Sequence, residues 1–446
     1  MNRPLPVGVL LLMLLCLLLT AGASSSLAQA TLTPPRVKLG IDVLRDNGFD
    51  ILRGKKVGLI ANPASVAGDL TRTVDLLHRS PAVQLVALFG PEHGVYGDVY
   101  AGDKVDDLTD PRTGLKVFSL YGRTRKPTAE MLNGLDAVIF DLQDIGARSY
   151  TYVSTLRDVL EACAEHNVML IVLDRPNPLG GQRIEGGMVA PGFESFVSYI
   201  PTPYVHGMTA AELAILLRET YAPNYERLRV VRMQGWTREM VWADTGLPWT
   251  PTSPHVPTAE SVAAYVATGI VGELGVLSNG VGYTLPFQIV GAPWVDGDQL
   301  ADALNQHYDG PGHAYLTAAA TRPAAARALR FPAPAARSPV GVFFQPVRFR
   351  PFYATHARTP CQGVHVRIDP KTPENLTEIN FRLLQALDAP ELLAQSKNRH
   401  RMFDQVVGSP EARELLQSGG DLRPLFQRWR QESERFRETR APHLLY

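Results

Sequence analysis

The chain has 446 residues, with 44 Lys and Arg against 44 Asp and Glu, so its formal net charge is zero. That balance argues against nucleic acid as a main partner, because basic patches accompany such binding. With 45% hydrophobic and 20% charged residues, the composition is typical of a folded globular protein and excludes a largely disordered one. The length predicts two or more domains.

The first thirty residues have the pattern of a secretory signal peptide. Arg3 supplies positive charge, Val9–Leu19 is almost wholly apolar, and residues 28–30 read Ala-Gln-Ala, a small-x-small cleavage site. The apolar run is short for a membrane span, and we expect no transmembrane segment in the mature chain. We therefore predict cleavage after Ala30 and a periplasmic or secreted protein, with an uncleaved anchor as the alternative.

Buried strands alternate with helices in the next part of the chain. The runs that indicate strands are Lys56–Ala61, Val83–Phe89, Leu115–Ser119, Ala137–Phe140, Val168–Leu173 and Leu228–Met233. The apolar periodicity predicts helices over about Thr71–His78, Thr128–Leu132, Tyr150–His166 and Ala210–Thr220. Strands that are apolar nearly throughout, each followed by a polar loop, predict an α/β fold with a doubly wound parallel sheet.

The regular alternation weakens after the Pro-rich stretch Leu247–Thr258. The segments Ser278–Tyr283 and Gly291–Trp294 are Gly-rich and predict loops, whereas Glu374–Tyr446 is mostly helical in pattern. Residues Ala318–Arg337, rich in Ala, Pro and Arg, are typical of a surface segment or linker insertion. We place one domain at residues 37–260 and a second, smaller α+β domain at residues 261–446.

Polar and charged side chains follow three of the predicted strands. They are Glu92 and His93 after the second strand, Asp141, Gln143, Asp144 and Arg148 after the strand that ends at Phe140, and Asp174, Arg175 and Asn177 after the strand that ends at Leu173. Because the carboxyl ends of parallel strands share one edge of a sheet, we expect these residues to gather at one crevice. The alternative for each Asp is a helix cap or a turn bond to backbone.

Familiar cofactor and metal motifs are absent from the sequence. It has no G-x-G-x-x-G after the first strand, no Walker A motif, no G-x-S-x-G elbow, and no H-E-x-x-H or C-x-x-C spacing. Asp141 with Asp144 is a weak divalent-cation pattern without a clear third ligand, so we expect neither a metal nor a cofactor. Cys163 is expected to be a buried, inert thiol, and nothing in the spacing demands a disulfide with Cys361.

Several long motifs resemble those of the exo-β-N-acetylmuramidase family, which was first known as a domain of unknown function. They are Gly40–Leu44, Gly58–Pro63, Phe89–Gly94, Phe140–Arg148 with Tyr150–Tyr152, Leu173–Gly181, Phe287, Gly291–Trp294 and Leu444–Tyr446. The resemblance implies a Rossmann-like N-terminal domain, a smaller C-terminal domain and an active site in the cleft between them. It also implies release of terminal N-acetylmuramic acid from the non-reducing end of peptidoglycan fragments, so muropeptides or amino-sugar oligosaccharides are the expected partners.

The family's proposed catalytic glutamate falls on Glu92, which we predict to be the acid/base, oriented or polarised by His93. The second catalytic group is Asp141 or Asp144, or else the substrate's own 2-acetamido group. Arg148 is the candidate partner of the substrate's carboxylate, with an ion pair to Asp144 as the structural alternative. Further substrate contacts are expected from polar residues of the same motifs and of neighbouring loops. These are Asn62, Gln143, Tyr150, Arg175, Asn177, His206 and Asn279.

One loop departs from the family pattern. Residues Ser278–Gly282 read Ser-Asn-Gly-Val-Gly where the family usually reads Ser-Glu-Gly-Arg-Gly, so a carboxylate and a guanidinium are missing. Arginine is a natural partner for the lactyl carboxylate of muramic acid, through paired hydrogen bonds. Two alternatives follow from the loss: a non-catalytic cell-wall glycan-binding protein of the same fold, and an exo-glycosidase for a different sugar.

Overall fold

A seven-stranded sheet lies at the centre of the first domain. The structure is a computed structural model that describes residues 37–308 and 341–446. The predicted signal peptide and the predicted insertion at residues 318–337 lie outside this part of the chain. The strands are β1 Lys56–Ile60, β2 Gln84–Gly90, β3 Leu108–Thr109, β4 Lys116–Ser119, β5 Ala137–Phe140, β6 Met169–Leu173 and β7 Leu228–Val231.

The strand order is β3-β4-β2-β1-β5-β6-β7. Every neighbouring pair is parallel except β3 with β4. The first strand thus lies in the middle of the sheet, and later strands are added on both sides of it. This order confirms the predicted doubly wound parallel sheet. Leu59 of β1 pairs with Leu88 on one side and with Ile139 on the other. Because central strands are covered on both faces, β1 is buried from Val57 to Ile60.

Helices cover both faces of this sheet. They are α1 Gly40–Asp46, α2 Thr73–Arg79, α3 Ala129–Leu132, α4 Tyr152–Glu165 and α5 Ala210–Tyr221. The core of one face includes Leu59 and Ile139, and α1 and α2 add Leu44 and Leu77 to it. The core of the other face includes Phe140. Successive strand residues therefore feed two separate cores, as the pleat of a strand requires.

The second domain shares the core that contains Phe140. Its helix α6 (Glu260–Gly272) contributes Val266 and Ile270 to that same cluster. Residues 37–308 and 341–446 accordingly belong to one compact unit. A continuous apolar core of this kind fixes the two domains relative to each other more firmly than a polar contact does, because separating them would expose apolar surface.

A three-stranded antiparallel sheet lies in the second domain. Its strands are β8 Ile289–Ala292, β9 Val342–Phe349 and β10 Cys361–Ile368, in the order β8-β10-β9. The prediction of a loop over Gly291–Trp294 was wrong at its start, because Gly291 and Ala292 belong to β8. Gly291 pairs with Gly363 of β10, where a Cβ on Gly363 would lie 2.0 Å from the Val290 carbonyl oxygen. The glycine-rich composition there serves close strand approach rather than a turn.

The C-terminal part of the second domain is mostly helical, which confirms the prediction for Glu374–Tyr446. Its further helices are α7 Gly297–His307, α8 Leu376–Ala386, α9 Ala389–Gln395, α10 His400–Val407, α11 Glu411–Gln417 and α12 Arg423–Arg440. Cys163 and Cys361 are both buried and free, so they form no disulfide. Burial also raises the pKa of the Cys163 thiol, which makes it a poor nucleophile. Across the described residues, no helix is long and apolar enough to cross a membrane.

Candidate active site

The three acidic turns leave the same edge of the sheet. Strands β2, β1, β5 and β6 are parallel neighbours, so their carboxyl ends lie side by side. Glu92 follows the end of β2, Asp141 follows β5 and Asp174 follows β6. The convergence predicted from the sequence is therefore present in the fold. The contacts of each acid differ, and those contacts decide what each one can do.

The Glu92 side chain is nearly buried and accepts two hydrogen bonds. Its side chain accepts a bond from the Thr151 hydroxyl at 2.6 Å and another from the Gly102 backbone N–H at 2.9 Å. Only 8% of the Glu92 surface is exposed. Neither partner is a cation, so the carboxyl group is oriented without being neutralised by an ion pair.

Two tyrosines lie beside this carboxyl group. Burial, together with the charge of Glu92, raises the pKa of Tyr121 to about 12. Burial also raises the pKa of Tyr152, and the Glu92 charge acts in the same direction. The Tyr152 hydroxyl donates to the Thr252 carbonyl at 2.7 Å and accepts a bond from the Asn62 amide at 3.0 Å. Both phenols thus remain neutral hydrogen-bond donors at ordinary pH.

His93 adopts an unusual backbone conformation next to Glu92. Its φ is 69°, in the left-handed region that non-glycine residues seldom occupy. Its Nδ1 donates to the Val99 carbonyl at 2.8 Å, which assigns the proton to that nitrogen. Such strained residues cluster at functional sites, because surrounding contacts must hold them there. Glu92 itself is positioned by Thr151 and Gly102, whereas the predicted orienting role of His93 stays a prediction.

His93 also lies near His255, which contacts the second domain. Burial, and then the neighbouring His93, lower the pKa of His255. The His255 Nε2 lies 2.8 Å from the hydroxyl of Tyr353, a residue of the second domain. The Tyr353 ring lies 5.8 Å from the ring of Tyr100, which is on the loop that follows Glu92. Aromatic side chains from both domains therefore meet above the Glu92 turn.

Asp141 is a structural residue by its contacts. It is fully buried, and its two carboxylate oxygens accept bonds from Arg175 Nε at 2.7 Å and from the Thr73 hydroxyl at 2.6 Å. Arg175 also donates to the Val66 carbonyl at 2.9 Å. Asp141 follows β5 and Arg175 follows β6, so these bonds join the turns after both strands to the segment around α2. The Asp141 carboxylate was predicted to be catalytic and the Arg175 guanidinium to bind substrate. In the structure, both groups bond to other protein groups instead.

Asp144 and His206 form a second buried pair. The Asp144 Oδ2 accepts a bond from the Gly146 N–H at 2.7 Å and lies 3.2 Å from His206 Nε2. The His206 Nδ1 accepts a bond from the Met208 N–H at 3.1 Å, so its ring proton is on Nε2, which makes no hydrogen bond within the described residues. The pair connects the turn after β5 to the segment that precedes α5.

Arg148 has a role that differs from both sequence predictions. It is fully buried, and it donates to the carbonyl oxygens of Gly187, Thr202 and Val407 at 2.7–2.8 Å. Burial lowers its pKa to about 10. Val407 ends helix α10, so Arg148 satisfies carbonyls at a helix C-terminus in the second domain. These bonds orient its guanidinium towards backbone rather than towards a ligand or Asp144.

The remaining predicted substrate residues make internal hydrogen bonds. Asn62 bonds to Tyr152 and Thr252, Gln143 to Pro176, Asn177 to Met208, Tyr150 to Thr252 and Asn279 to Val281. All five are at least nine-tenths buried. Of these, Asn62 reaches the Glu92 environment, through its bond to Tyr152. The others support the loops that surround the site.

Sequence reasoning missed several residues around Glu92. Tyr121 follows the end of β4 by two residues, as Glu92 follows the end of β2, and β4 is the parallel neighbour of β2. Its place just after a parallel strand is the signal that could have identified it. Thr151 lies in the family motif Tyr150–Tyr152, but nothing in the sequence indicated that it contacts Glu92. Tyr353 and His255 carry no local signal, because only tertiary folding brings His255 near His93 and Tyr353 against His255.

Metal binding finds no support in the geometry. Within residues 37–308 and 341–446, no group of three His, Cys, Asp or Glu side chains is arranged to hold a metal ion. The two oxygens of Asp141, which the sequence offered as metal ligands, are taken by Arg175 and Thr73.

Two protein-family descriptions match the chain. Exo-beta-N-acetylmuramidase NamZ, N-terminal, matches residues 57–260, and Exo-beta-N-acetylmuramidase NamZ, C-terminal, matches residues 263–446. The chain is also 35% identical over 440 residues to the peptidoglycan beta-N-acetylmuramidase NamZ of Bacillus subtilis, covering 98% of this chain and 97% of that protein. The similarity therefore extends over both domains.

Solved structures agree with this result. A DUF1343 family protein from Bacteroides fragilis is 42% identical, with a TM-score of 0.79, and the match covers 92% of this chain and 99% of that one. A second DUF1343 family protein from the same organism is 24% identical, with a TM-score of 0.68 and the same coverage. The second likeness concerns the fold alone, while the first also extends to sequence.

Proposed function

The chain belongs to the exo-β-N-acetylmuramidase NamZ family and is a glycoside hydrolase of peptidoglycan, and on that premise we propose that it releases terminal N-acetylmuramic acid from the non-reducing end of peptidoglycan fragments. The observation that carries the proposal is Glu92. Its carboxyl group is held by a hydroxyl and a backbone N–H, with no cation paired to it in the described part of the chain. Asp174 also lacks a cation there, but it is fully buried, whereas Glu92 keeps 8% of its surface exposed.

We propose that Glu92 is the general acid/base of the reaction. A glycosidase needs a carboxyl group that protonates the leaving oxygen. The neutral phenols of Tyr121 and Tyr152 lie beside Glu92 and place no positive charge against it. Thr151 and Gly102 hold the group in one orientation, which is what a proton donor to a fixed glycosidic oxygen requires.

The second group in this proposal comes from the substrate. Asp141 is fully buried in its pair with Arg175, and the Asp144 carboxylate is buried beside His206. Asp141 is thus already neutralised inside the protein, and Asp144, 6% exposed, has His206 against it, so we assign neither of them to the sugar ring. The 2-acetamido group of N-acetylmuramic acid supplies the assistance instead, as in other substrate-assisted glycosidases.

Secretion is the second part of the proposal. Residues 1–30 carry the signal pattern, and a substrate from the cell wall lies outside the cytoplasm. We expect the protein recovered from the periplasm or the medium to begin at Thr31. Recovery of the intact N-terminus in the cytoplasmic fraction would contradict this part alone.

The test of Glu92 is kinetic. We expect Glu92→Gln to lower kcat on a chromogenic N-acetylmuramic acid β-glycoside by about 10²–10⁴-fold, the range for loss of a general acid. The matched control is Glu130→Gln, an exposed glutamate of α3, which is expected to keep wild-type turnover. Near-normal turnover by Glu92→Gln in a folded protein would remove Glu92 from the chemistry.

A panel of chromogenic glycosides tests the sugar. The panel contains N-acetylmuramic acid, N-acetylglucosamine and a uronic acid as the terminal sugar, together with an N-trifluoroacetyl muramic acid glycoside. We expect the highest kcat/KM on N-acetylmuramic acid and a lower kcat on the trifluoroacetyl compound, because its amide oxygen is a weaker nucleophile. Faster release of another sugar would favour the alternative that the altered Ser278–Gly282 loop suggested.

A further inference from the structure

We propose that Arg125 recognises the carboxylate of the substrate's lactyl group, an inference that rests on the function proposed above. Muramic acid differs from glucosamine by this acidic substituent, so an enzyme selective for it needs a cation near the catalytic acid. The family's usual arginine is missing from the Ser278–Gly282 loop. Arg148 and Arg175, the sequence candidates in this region, are both buried and bonded to protein groups.

Arg125 is placed near Glu92 by the topology of the sheet. Strands β4 and β2 are parallel neighbours, so the segments that follow them leave the same sheet edge side by side. The Leu120 N–H, just after β4, donates to the carbonyl of Gly90 at the end of β2 at 2.8 Å. The next residue is Tyr121, whose hydroxyl is close enough to both Glu92 and Arg125 for each to affect its pKa.

Two aromatic rings hold the Arg125 guanidinium. Its Cζ lies 4.1 Å from the centre of the Phe196 ring and 5.0 Å from that of Tyr121. The two rings are 5.9 Å apart. The Phe196 segment is itself anchored, because the Ser154 hydroxyl of α4 donates to the Phe196 carbonyl at 2.6 Å. Stacking on aromatic faces orients a guanidinium while leaving its N–H edge available.

The charge of Arg125 has no ion-pair partner within the described residues. Arg175 pairs with a buried carboxylate and Arg148 is surrounded by carbonyl oxygens, whereas Arg125 is exposed. An exposed, oriented guanidinium next to the proposed acid matches the requirements for binding an organic carboxylate through two parallel hydrogen bonds. The geometry therefore assigns substrate selection to the segment that follows β4, on the first domain, and not to the altered loop of the second.

The experiment compares two substrates that differ only in charge. One is the chromogenic N-acetylmuramic acid β-glycoside, and the other is the same compound with its lactyl carboxyl group converted to a neutral amide. For Arg125→Gln we expect KM for the acid to rise about 10- to 100-fold, the range for losing hydrogen bonds to a charged group. KM for the amide should stay within about twofold, and kcat should change little for either substrate. Arg125→Lys should recover part of the preference, since it keeps the charge and loses the planar fork.

The control is Arg123→Gln, which removes a nearby arginine whose side chain is 93% exposed. It is expected to leave the ratio of the two KM values unchanged. An unchanged ratio in Arg125→Gln, or an equal loss on acid and amide, would overturn the assignment of Arg125 while leaving the proposed function in place. The wild-type protein could instead hydrolyse neither the acid nor the amide substrate and, by calorimetry, bind neither free N-acetylmuramic acid nor N-acetylglucosamine. That result would contradict the proposed function, and with it the assignment of Arg125.

Discussion

Glu92 and Asp141 occupy equivalent places in the fold and have opposite surroundings. Each follows a parallel strand near the middle of the sheet, and each accepts a hydrogen bond from a threonine hydroxyl at 2.6 Å. The second partner of Asp141 is the Arg175 guanidinium, whereas that of Glu92 is a backbone N–H. Topology brings acids to a common edge, but burial and partners decide their roles: Asp141 is fully buried and paired with a cation, whereas Glu92 keeps some exposed surface and has no cation among its partners in the described residues.

The largest stability effect is expected at Asp141. Asp141→Asn makes the same acid-to-amide change as Glu92→Gln, but it leaves the buried Arg175 without its counter-charge. We expect the free energy of unfolding to fall by about 3–5 kcal/mol, as when one partner of a buried pair is removed. Denaturant unfolding of both variants checks this. If Glu92→Gln were destabilised as much as Asp141→Asn, the distinction between a structural Asp141 and an available Glu92 would be wrong.

A smaller effect is expected at the third acidic turn, where burial raises the pKa of Asp174 to about 7. The folded state therefore holds a proton on Asp174 that the unfolded chain has released, so stability from this group is present at low pH and lost as pH rises towards 7. Between pH 4 and 7 we expect wild type to lose roughly 3 kcal/mol relative to Asp174→Asn. A difference between the two proteins that does not change with pH would contradict this.

The smallest effects are expected from the two threonines. Thr151→Val removes the hydroxyl that orients Glu92, and we expect kcat to fall about tenfold, since one hydrogen bond to a charged group is lost. Thr73→Val removes the equivalent hydroxyl at Asp141, so it should lower the free energy of unfolding by about 1–2 kcal/mol and leave kcat unchanged. Equal effects of the two variants on kcat would mean that Asp141 also takes part in the reaction.

The contacts of the C-terminus show a further limit of sequence reasoning. The hydroxyl of Tyr446, the last residue, donates to the Asp174 carboxylate at 2.7 Å and accepts a bond from the Met233 N–H at 2.8 Å. The closing Leu-Leu-Tyr was recognised as part of a family motif, but nothing local indicated that it returns to the turn after β6. A contact across 272 residues has no periodicity from which it could be read.

The sequence by itself determined the sheet, the order of its strand-end acids and the family. These follow from apolar runs, their spacing and long contiguous motifs, which are local properties of the chain. Only the tertiary structure decided that Arg148 and Asp141 bond to protein groups, that Tyr121 and Thr151 lie beside Glu92, and that the Arg125 guanidinium packs on Tyr121 and Phe196. The reason is physical: the availability of a charged group depends on which partners distant segments bring to it, and a linear pattern does not record those partners.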